Sequence, residues 1–104
     1  EERTRAAGAA QSVLPSRPIH RIMKADEGRY RILKSGTRAM AKAVELFISE
    51  LAFEAFQTTV EEQRRILKDS DVYDAIGRHD VFDFLVDVVP SEEIARIRLH
   101  KMDE

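Results

Sequence analysis

One uninterrupted stretch, residues 34–62, constrains the fold of this chain more than any other. The stretch contains no proline, and its one glycine, Gly36, lies near its start, so nothing in its interior breaks a helix. A helix of this length rises about 1.5 Å per residue and would extend roughly 40 Å. In a chain of 104 residues it leaves room only for short flanking elements. The sequence therefore predicts an all-α domain organised around one long central helix.

The predicted central helix has apolar residues on two of its faces. One face repeats at spacings of three or four residues and consists of Met40, Val44, Phe47, Ile48, Leu51 and Ala55. The nearly opposite face consists of Leu46, Phe53, Phe56 and Val60. Short flanking helices can cover one face, so we expect another protein to cover the second, and which face meets it stays open. A helix buried on both sides in a larger bundle would need more helices than this chain supplies.

A short helix is predicted before the central one. Residues 13–15 form an extended anchor, because the residue before a proline is excluded from the helical region. Ser16 or Arg17 can cap the helix, and Pro18 is tolerated in its first turn. Residues 26–28 (DEG) end it. Its apolar face would consist of Ile19, Ile22 and Met23.

Further helices are predicted after the central one. Residues 69–71 (DSD) form an acidic start for a helix over residues 72–78, whose last turn is weakened by Gly77. Pro90 stops the segment that follows, and residues 91–104 predict a final helix. The apolar positions of that final helix are Ile94, Ile97 and Met102.

Residues 81–89 (VFDFLVDVV) allow two interpretations. Their β-branched and aromatic content is typical of a buried strand. We favour a short helix, because Asp80 can cap it with Asp83 at its third position. The aligned apolar residues of that helix would be Val81, Leu85 and Val88.

The charges are unevenly distributed, although the formal net charge is only −2. Residues 1–34 contain eight Lys and Arg against four Asp and Glu, whereas residues 35–104 contain nine against fifteen. This polarity indicates one anionic and one basic partner, although scattered surface charges would give the same counts. The absence of Cys excludes disulfides and thiolate metal sites, and no apolar run approaches the roughly 20 residues of a membrane span.

Three blocks of residues resemble a known family. They are Leu14-Pro15 with residues 19–27 (IHRIMKADE), then residues 41–43, 45–48 and 50–51 (AKA, ELFI, EL), and finally residues 64–67, 71–72 and 81–90 (RRIL, DV, VFDFLVDVVP). With these blocks the chain resembles the histone fold. More narrowly, it resembles the family of C-type subunits of nuclear factor Y, the histone-2A-like component of the CCAAT-binding factor, or a divergent member of it.

Three departures from the family pattern bear on the subfamily. The family's LPLARIKK reads LPSRPIHR over residues 14–21, so Pro18 replaces a basic residue and His20 replaces a Lys. The family's ISAEAP reads ILKSGT here, which loses a Glu and gains Lys34. A Trp usual in the central helix corresponds to Phe56. The alternative to a C-type subunit of nuclear factor Y is a histone-fold subunit of DNA polymerase epsilon or of a chromatin-remodelling complex. Those subunits share much of the first two blocks.

The resemblance implies a domain organisation and a partner. The histone-fold domain would cover residues 13–90, as a short, a long and a short helix with an additional C-terminal helix. Residues 1–12 would be a mobile tail and residues 91–104 a helical extension. The domain would form an obligate heterodimer with a histone-2B-like subunit. Its candidate interface residues are Phe47, Leu51, Phe53, Phe56 and Val60.

The resemblance also implies contact with double-stranded DNA through the first helix and the two loops. The candidate residues are Arg17, Arg21, Lys24, Arg29, Arg31, Arg65 and Lys68. Contacts of this kind hold the DNA backbone without reading bases, so affinity should fall steeply with salt. The alternative is that these are ordinary surface cations.

Two further sites follow from the resemblance. Arg64 and Asp71 match the family's ion pair between the second loop and the third helix, so we interpret Arg64 as structural rather than as a DNA contact. A helix of the third, DNA-sequence-reading subunit is expected to dock over Phe82, Asp83 and Asp87. A solvated acidic face is the alternative for those residues.

The leading hypothesis is therefore a non-enzymatic subunit of a heterotrimeric transcription factor in the nucleus, without cofactor or metal. The three histidines are scattered, without the spacing of a metal site, and the chain has no Gly-rich phosphate loop. One alternative is an architectural subunit of a polymerase or chromatin remodeller. Another is a protein-interaction module whose basic loops bind no DNA.

Overall fold

The computed structural model of the chain describes residues 12–25 and 30–102. These residues contain no strand and form α1 (Ser16–Ala25), α2 (Lys34–Glu61), α3 (Asp69–Arg78), a 3₁₀ helix (Asp80–Val88) and α4 (Ser91–Met102). The predicted all-α order of a short, a long and a short helix with a further C-terminal helix is confirmed. Residues 1–11 of the predicted tail, and Arg29, lie outside the described residues. No described helix combines the length and apolar character that crossing a membrane requires.

The chain divides into two compact units, Glu1–Ile48 and Ser49–Glu104. In the first unit, Pro18 lies in the first turn of α1, as predicted. Ile19 is buried, but Ile22 is 68% exposed, so the apolar face predicted for α1 is only partly covered by the chain itself.

The residues before α1 are held against the N-terminal part of α2 through one carboxylate. The Ser12 hydroxyl donates to Glu45 Oε1 at 2.8 Å, and the Val13 N–H donates to the same oxygen at 3.1 Å. Lys42 Nζ lies 3.5 Å from Glu45 Oε2. The Ser12 hydroxyl, followed by the Val13 N–H and Lys42, holds the pKa of the Glu45 carboxyl below its ordinary value. A charged Glu45 therefore holds Ser12 and Val13 against α2.

The core of the second unit forms where α3 packs against the 3₁₀ helix and α4. Its buried apolar side chains include those of Ile76, Phe82 and Ile97. A Cβ added at Gly77 would lie 2.7 Å from Ile97 Cγ2, closer than ordinary carbon contacts. Gly77, predicted only to weaken the last turn of α3, therefore also allows α4 to approach that turn closely.

The last turn of α2 directs the chain into the loop before α3. Gln63 has φ 58°, the left-handed conformation that favours glycine. Its N–H donates to the Val60 carbonyl at 2.8 Å, and the Arg64 N–H donates to the Thr59 carbonyl at 3.0 Å. These two bonds form a Schellman motif, which satisfies carbonyl groups at the end of the helix. The turn brings Arg64 to the start of α3.

α3 begins at Asp69 rather than at Val72, where the sequence placed it. Asp69 and Asp71 both lie in its first turn, where negative charge interacts favourably with the helix dipole. Its N-terminal cap residue is Lys68, whose backbone N–H donates to Asp71 Oδ2 at 2.9 Å. The acidic residues therefore belong to the helix instead of preceding it.

The segment Asp80–Val88 is a helix, as favoured from the sequence over a strand, and its helix type is 3₁₀. Asp80, predicted as the cap, lies inside the helix. The buried side chain is Phe82, at 1% exposed, whereas Val81 and Val88 are 71% and 63% exposed. The predicted apolar face needs about 3.6 residues per turn. It does not form at about three residues per turn.

Candidate partner and DNA interfaces

In the second unit, α2 leaves three large apolar side chains exposed. Phe53, Phe56 and Val60 follow one another at helical spacings on one face and are 61%, 44% and 53% exposed. We call these three residues the apolar row. Ala55 and Thr59, in the same turns, are completely buried. Two aromatic rings and a valine exposed together on a chain of this size indicate a surface for association with another protein.

The remaining residues assigned to a dimer interface behave differently. Phe47 and Leu51, from the other apolar face, are each half-buried within the chain. Met40 and Ile48 of that face are 44% and 51% exposed, so it is covered only in part, whereas every large apolar residue of the opposite face is exposed. The face containing the apolar row is the better candidate for contact with a mate.

The basic residues assigned to DNA are exposed wherever the structure describes them. Arg17, Arg21 and Lys24 succeed one another at spacings of four and three, so they share one face of α1. Arg29 lies outside the described residues. The others lie in loops, and they are Arg31, Arg65 and Lys68. Three cations on one face of a short helix can contact successive phosphates.

A buried carboxylate, that of Asp71, organises the turn from α2 to α3. Arg64 holds it with two bonds, Nη2 to Oδ1 at 2.6 Å and Nη1 to Oδ2 at 3.1 Å. The Thr59 hydroxyl donates to Oδ2 at 2.6 Å, and the Lys68 N–H donates to the same atom at 2.9 Å. We call Thr59, Arg64, Lys68 and Asp71 the Asp71 network.

These contacts keep both partners of the pair charged. The hydrogen bonds from Arg64 are the main cause that holds the pKa of the Asp71 carboxyl well below its ordinary range, although burial opposes them. Asp71 and then Glu62 raise the pKa of the Arg64 guanidinium. Because its donors are directed at Asp71, Glu62 and the Ile66 carbonyl, Arg64 is engaged within the chain. This geometry accords with a structural role rather than a DNA contact.

A second buried carboxylate, Asp74, was not predicted from the sequence. It is 7% exposed, accepts a bond from the Thr58 hydroxyl at 2.7 Å, and its Oδ2 lies 2.8 Å from Arg78 Nε. Adjacent threonines of α2 thus each bind an aspartate of α3. The available signal was two acidic residues three apart on a helix, but nothing local pairs them with Thr58 and Thr59.

The residues assigned to third-subunit docking divide into buried and exposed. Phe82 belongs to the core of the second unit, so its side chain is not available to a partner and its assignment is corrected. Asp83 and Asp87 are exposed. Residues four apart in a 3₁₀ helix differ by about a third of a turn around the axis, so these two aspartates do not form the single acidic face expected of an α-helix.

The 3₁₀ helix instead presents a mixed face. Residues three apart eclipse one another in such a helix, which aligns Val81, Phe84 and Asp87. Val81 and Phe84 are 71% and 69% exposed. We call these three residues the docking face. Its apolar members were missed from the sequence because an α-helical period was assumed.

The described residues contain no group of three or more His, Cys, Asp or Glu side chains that could hold a metal ion. His20 Nδ1 lies 3.3 Å from Thr37 Oγ1 in the first unit. His79 Nε2 lies 3.2 Å from Glu54 Oε1 in the second. Each of these two histidines takes part in a separate polar contact.

The family model of histone-like transcription factors (CBF/NF-Y) and archaeal histones matches residues 12–76. This match covers more than half of the chain, and the chain belongs to that family. Its fold is the histone fold, as the three residue blocks indicated, followed by the 3₁₀ helix and α4.

Curated relatives narrow the similarity within the family. The chain is 47% identical over 92 residues to the C-2 subunit of Nuclear transcription factor Y of Oryza sativa subsp. japonica, covering 88% of this chain and 37% of that protein. It is 48% identical over 81 residues to the C-4 subunit of the same factor of Arabidopsis thaliana, covering 78% of this chain and 32% of that protein. The predicted resemblance to the C-type subunits of nuclear factor Y is confirmed. The chain spans about a third of the length of these relatives.

Proposed function

We propose that the chain is the histone-2A-like subunit of a heterotrimeric CCAAT-box-binding transcription factor in the nucleus. It pairs with a histone-2B-like subunit, contacts the backbone of double-stranded DNA, and docks a third subunit that reads the DNA sequence. Its role is binding rather than catalysis. The apolar row on α2 carries this proposal, because a histone-fold chain with this surface exposed needs a mate to cover it.

The energetics of the apolar row support obligate pairing. Covering the exposed parts of two phenylalanine rings and a valine contributes on the order of 3 kcal/mol. A domain of this size has a small core and is stable by a margin of only about 5 to 15 kcal/mol. The free energy gained by covering the apolar row is a large part of that margin, so it favours a heterodimer as the stable form.

The cationic face of α1 supports DNA-backbone contact. Arg17, Arg21 and Lys24 are exposed, and α1 contains no Asp or Glu. Arg64, which is paired with Asp71, is outside the proposed contact set. Contacts of this kind position the chain on DNA and leave sequence reading to another subunit.

The docking face supports recruitment of the third subunit. It combines two exposed apolar side chains, Val81 and Phe84, with the carboxylate of Asp87, and Asp83 lies beside it in sequence. A basic amphipathic helix matches this combination, since its apolar residues can cover Val81 and Phe84 while its cations meet the aspartates.

Co-expression with a histone-2B-like subunit tests the proposal. We expect a stable one-to-one heterodimer by size-exclusion chromatography with light scattering, and no folded monomer at the same concentration. A chain that unfolds cooperatively as a compact monomer contradicts obligate pairing. DNA binding is then measured with and without the third subunit, and a CCAAT preference is expected only in the trimer. Binding without any such preference would indicate an architectural subunit instead.

Charge reversal tests the docking face. Asp83→Lys/Asp87→Lys is expected to abolish capture of the third subunit while leaving the histone-fold heterodimer intact. The matched control is Glu92→Lys/Glu93→Lys, which reverses two charges in α4. Equal loss in both variants would show that overall charge, rather than this face, attracts the third subunit.

A further inference from the structure

The first unit contains a pocket of about 660 Å³ that was not predicted from the sequence. It lies between the residues that begin α1 and those that begin α2. Four of its lining side chains are basic, and they are Arg17, His20, Lys34 and Arg38. Its lining residues include no Asp or Glu. Three side chains that are always cationic at neutral pH therefore converge on one concavity without a carboxylate among them.

The backbone adds to the positive potential of this pocket. Its lining includes Ser16 from the first turn of α1, together with Lys34 and Thr37 from the first turn of α2. The N–H groups of Gly36 and Thr37 donate to the Leu33 carbonyl, and the first turn of a helix also carries a partial positive charge. Neither helix has an acidic residue in its first turn to offset that charge.

Polar side chains in the wall of the pocket are held in place. Thr37 is 5% exposed, and its hydroxyl oxygen lies 3.3 Å from Nδ1 of the half-buried His20. A hydroxyl group can donate to an anion while accepting from a neighbour. With the proton on Nδ1 of His20, the Thr37 hydroxyl accepts that bond and is left as a donor towards the pocket.

The carboxylate of Glu45, one turn along α2 from the lining residue Ala41, is engaged elsewhere. One of its oxygens accepts bonds from Ser12 and Val13, and the other lies 3.5 Å from Lys42 Nζ. These contacts offset the charge of Glu45. They leave the cations that line the pocket to interact with an external anion.

We propose that this pocket binds one phosphate of the DNA backbone, in addition to the contacts made by the cationic face of α1. The inference rests on the proposed function, and Lys34 and Arg38 are its new residues. Arg17 belongs both to the pocket and to the α1 face, so the two surfaces are continuous. This continuity favours DNA over a separate acidic peptide. Lys34 also stands in the ILKSGT segment, where the chain departs from the family pattern.

The salt dependence of DNA affinity tests this inference. The histone-fold heterodimer is titrated onto a labelled DNA duplex between about 50 and 200 mM salt, and the slope of log K against log[salt] is measured. Because each neutralised phosphate contributes about 0.9 to the slope, Lys34→Gln/Arg38→Gln is expected to reduce its magnitude by about 0.9. Lys34→Arg/Arg38→Lys retains the charges and is expected to retain most of the slope.

The matched control is Arg96→Gln/Arg98→Gln, which removes two exposed cations from α4. We expect no change in slope for this control. An unchanged slope in Lys34→Gln/Arg38→Gln overturns the inference, and so does a reduction of about 1.8, which indicates two independent phosphate contacts. So does a phosphorylated peptide that binds the wild-type chain and not the variant while the DNA slope stays the same.

The DNA titration also distinguishes failure of the proposed function from failure of the pocket inference. If the wild-type heterodimer binds no DNA at any salt concentration, both proposals are overturned together. If it binds DNA with a steep slope that only Arg21→Gln/Lys24→Gln reduces, the proposed function survives and the pocket inference fails.

Discussion

Two faces of α2 in the second unit differ in how far other parts of the chain cover them. On the threonine face, Thr58 and Thr59 donate to buried aspartates of α3 at 2.7 and 2.6 Å. On the apolar row, all three side chains remain at least 44% exposed. The buried carboxylates of Asp71 and Asp74 are therefore hydrogen-bonded within the second unit, whereas the apolar row stays exposed.

The physical reason lies in the different costs of the two kinds of group. A buried polar group without a partner costs about 1 to 3 kcal/mol, so its hydrogen bonds must form when the chain folds. Apolar surface carries no such directional requirement, and covering it contributes in proportion to the area removed from water. Its contribution can be realised by association of two chains.

The largest expected effect is on the apolar row. Phe53→Ala/Phe56→Ala should weaken heterodimer formation at least about 100-fold, since truncating a central aromatic contact commonly costs about 2 kcal/mol or more. The dependence of urea unfolding of the co-expressed heterodimer on protein concentration measures this change. Phe84→Ala is the matched control, because it removes an exposed ring of the 3₁₀ helix. If the double variant binds its mate with unchanged affinity, the apolar row is not the interface, and the face of Phe47 and Leu51 becomes the candidate.

The second prediction concerns the Asp71 network. Asp71→Asn should lower the free energy of unfolding of the heterodimer by about 2 to 4 kcal/mol, because the Arg64 charge loses its buried partner. Urea unfolding at fixed protein concentration measures the loss. Asp69→Asn removes an exposed carboxylate from the same first turn and should cost no more than about 1 kcal/mol. Equal losses would show that only the helix dipole matters.

The Asp71 network also predicts that the free energy of unfolding depends on pH. The pKa of Asp71 is lowered in the folded chain, so its contribution is fully present above its unfolded value of about 3.9 and is lost as pH falls towards the folded value. Below about pH 4 the difference between wild type and Asp71→Asn should shrink by about 1.4 kcal/mol per pH unit. A difference that stays constant from pH 7 to pH 3 would contradict the lowered pKa.

The smallest expected effect is at the turn that ends α2, where Gln63 has a positive φ. Gln63→Gly should raise the free energy of unfolding by about 0.5 to 1 kcal/mol, because glycine adopts the left-handed conformation without steric cost. Thermal unfolding of the heterodimer measures the gain. Gln57→Gly, in an exposed interior position of α2, should instead lose about 1 kcal/mol. Destabilisation by both substitutions would contradict the Schellman motif.

Local patterns predicted most of the helices. The bounds of α2 agree with the prediction within one residue, and Pro18 lies where a helix tolerates it. A short helix was also predicted for the segment Asp80–Val88, but its apolar face was wrong, because apolar spacing in nine residues does not distinguish a 3₁₀ helix from an α-helix. The docking face was missed for that reason.

The candidate sites were predicted less completely than the fold. The cations of α1 were assigned from the resemblance to the family, and their DNA contact stays a prediction. Lys34 and Arg38 were missed as pocket residues, because they meet Arg17 only when α1 lies beside the start of α2. Asp74 was missed for the same reason, since Thr58 lies sixteen positions earlier in the chain.

The sequence by itself determined the long helix and its two apolar faces, because these depend on residues within about four positions of one another. Only the tertiary structure decided that the apolar row stays exposed, that Asp71 and Asp74 are buried against threonines, and that a basic pocket forms in the first unit. Those features depend on contacts between distant residues, which local periodicity does not specify.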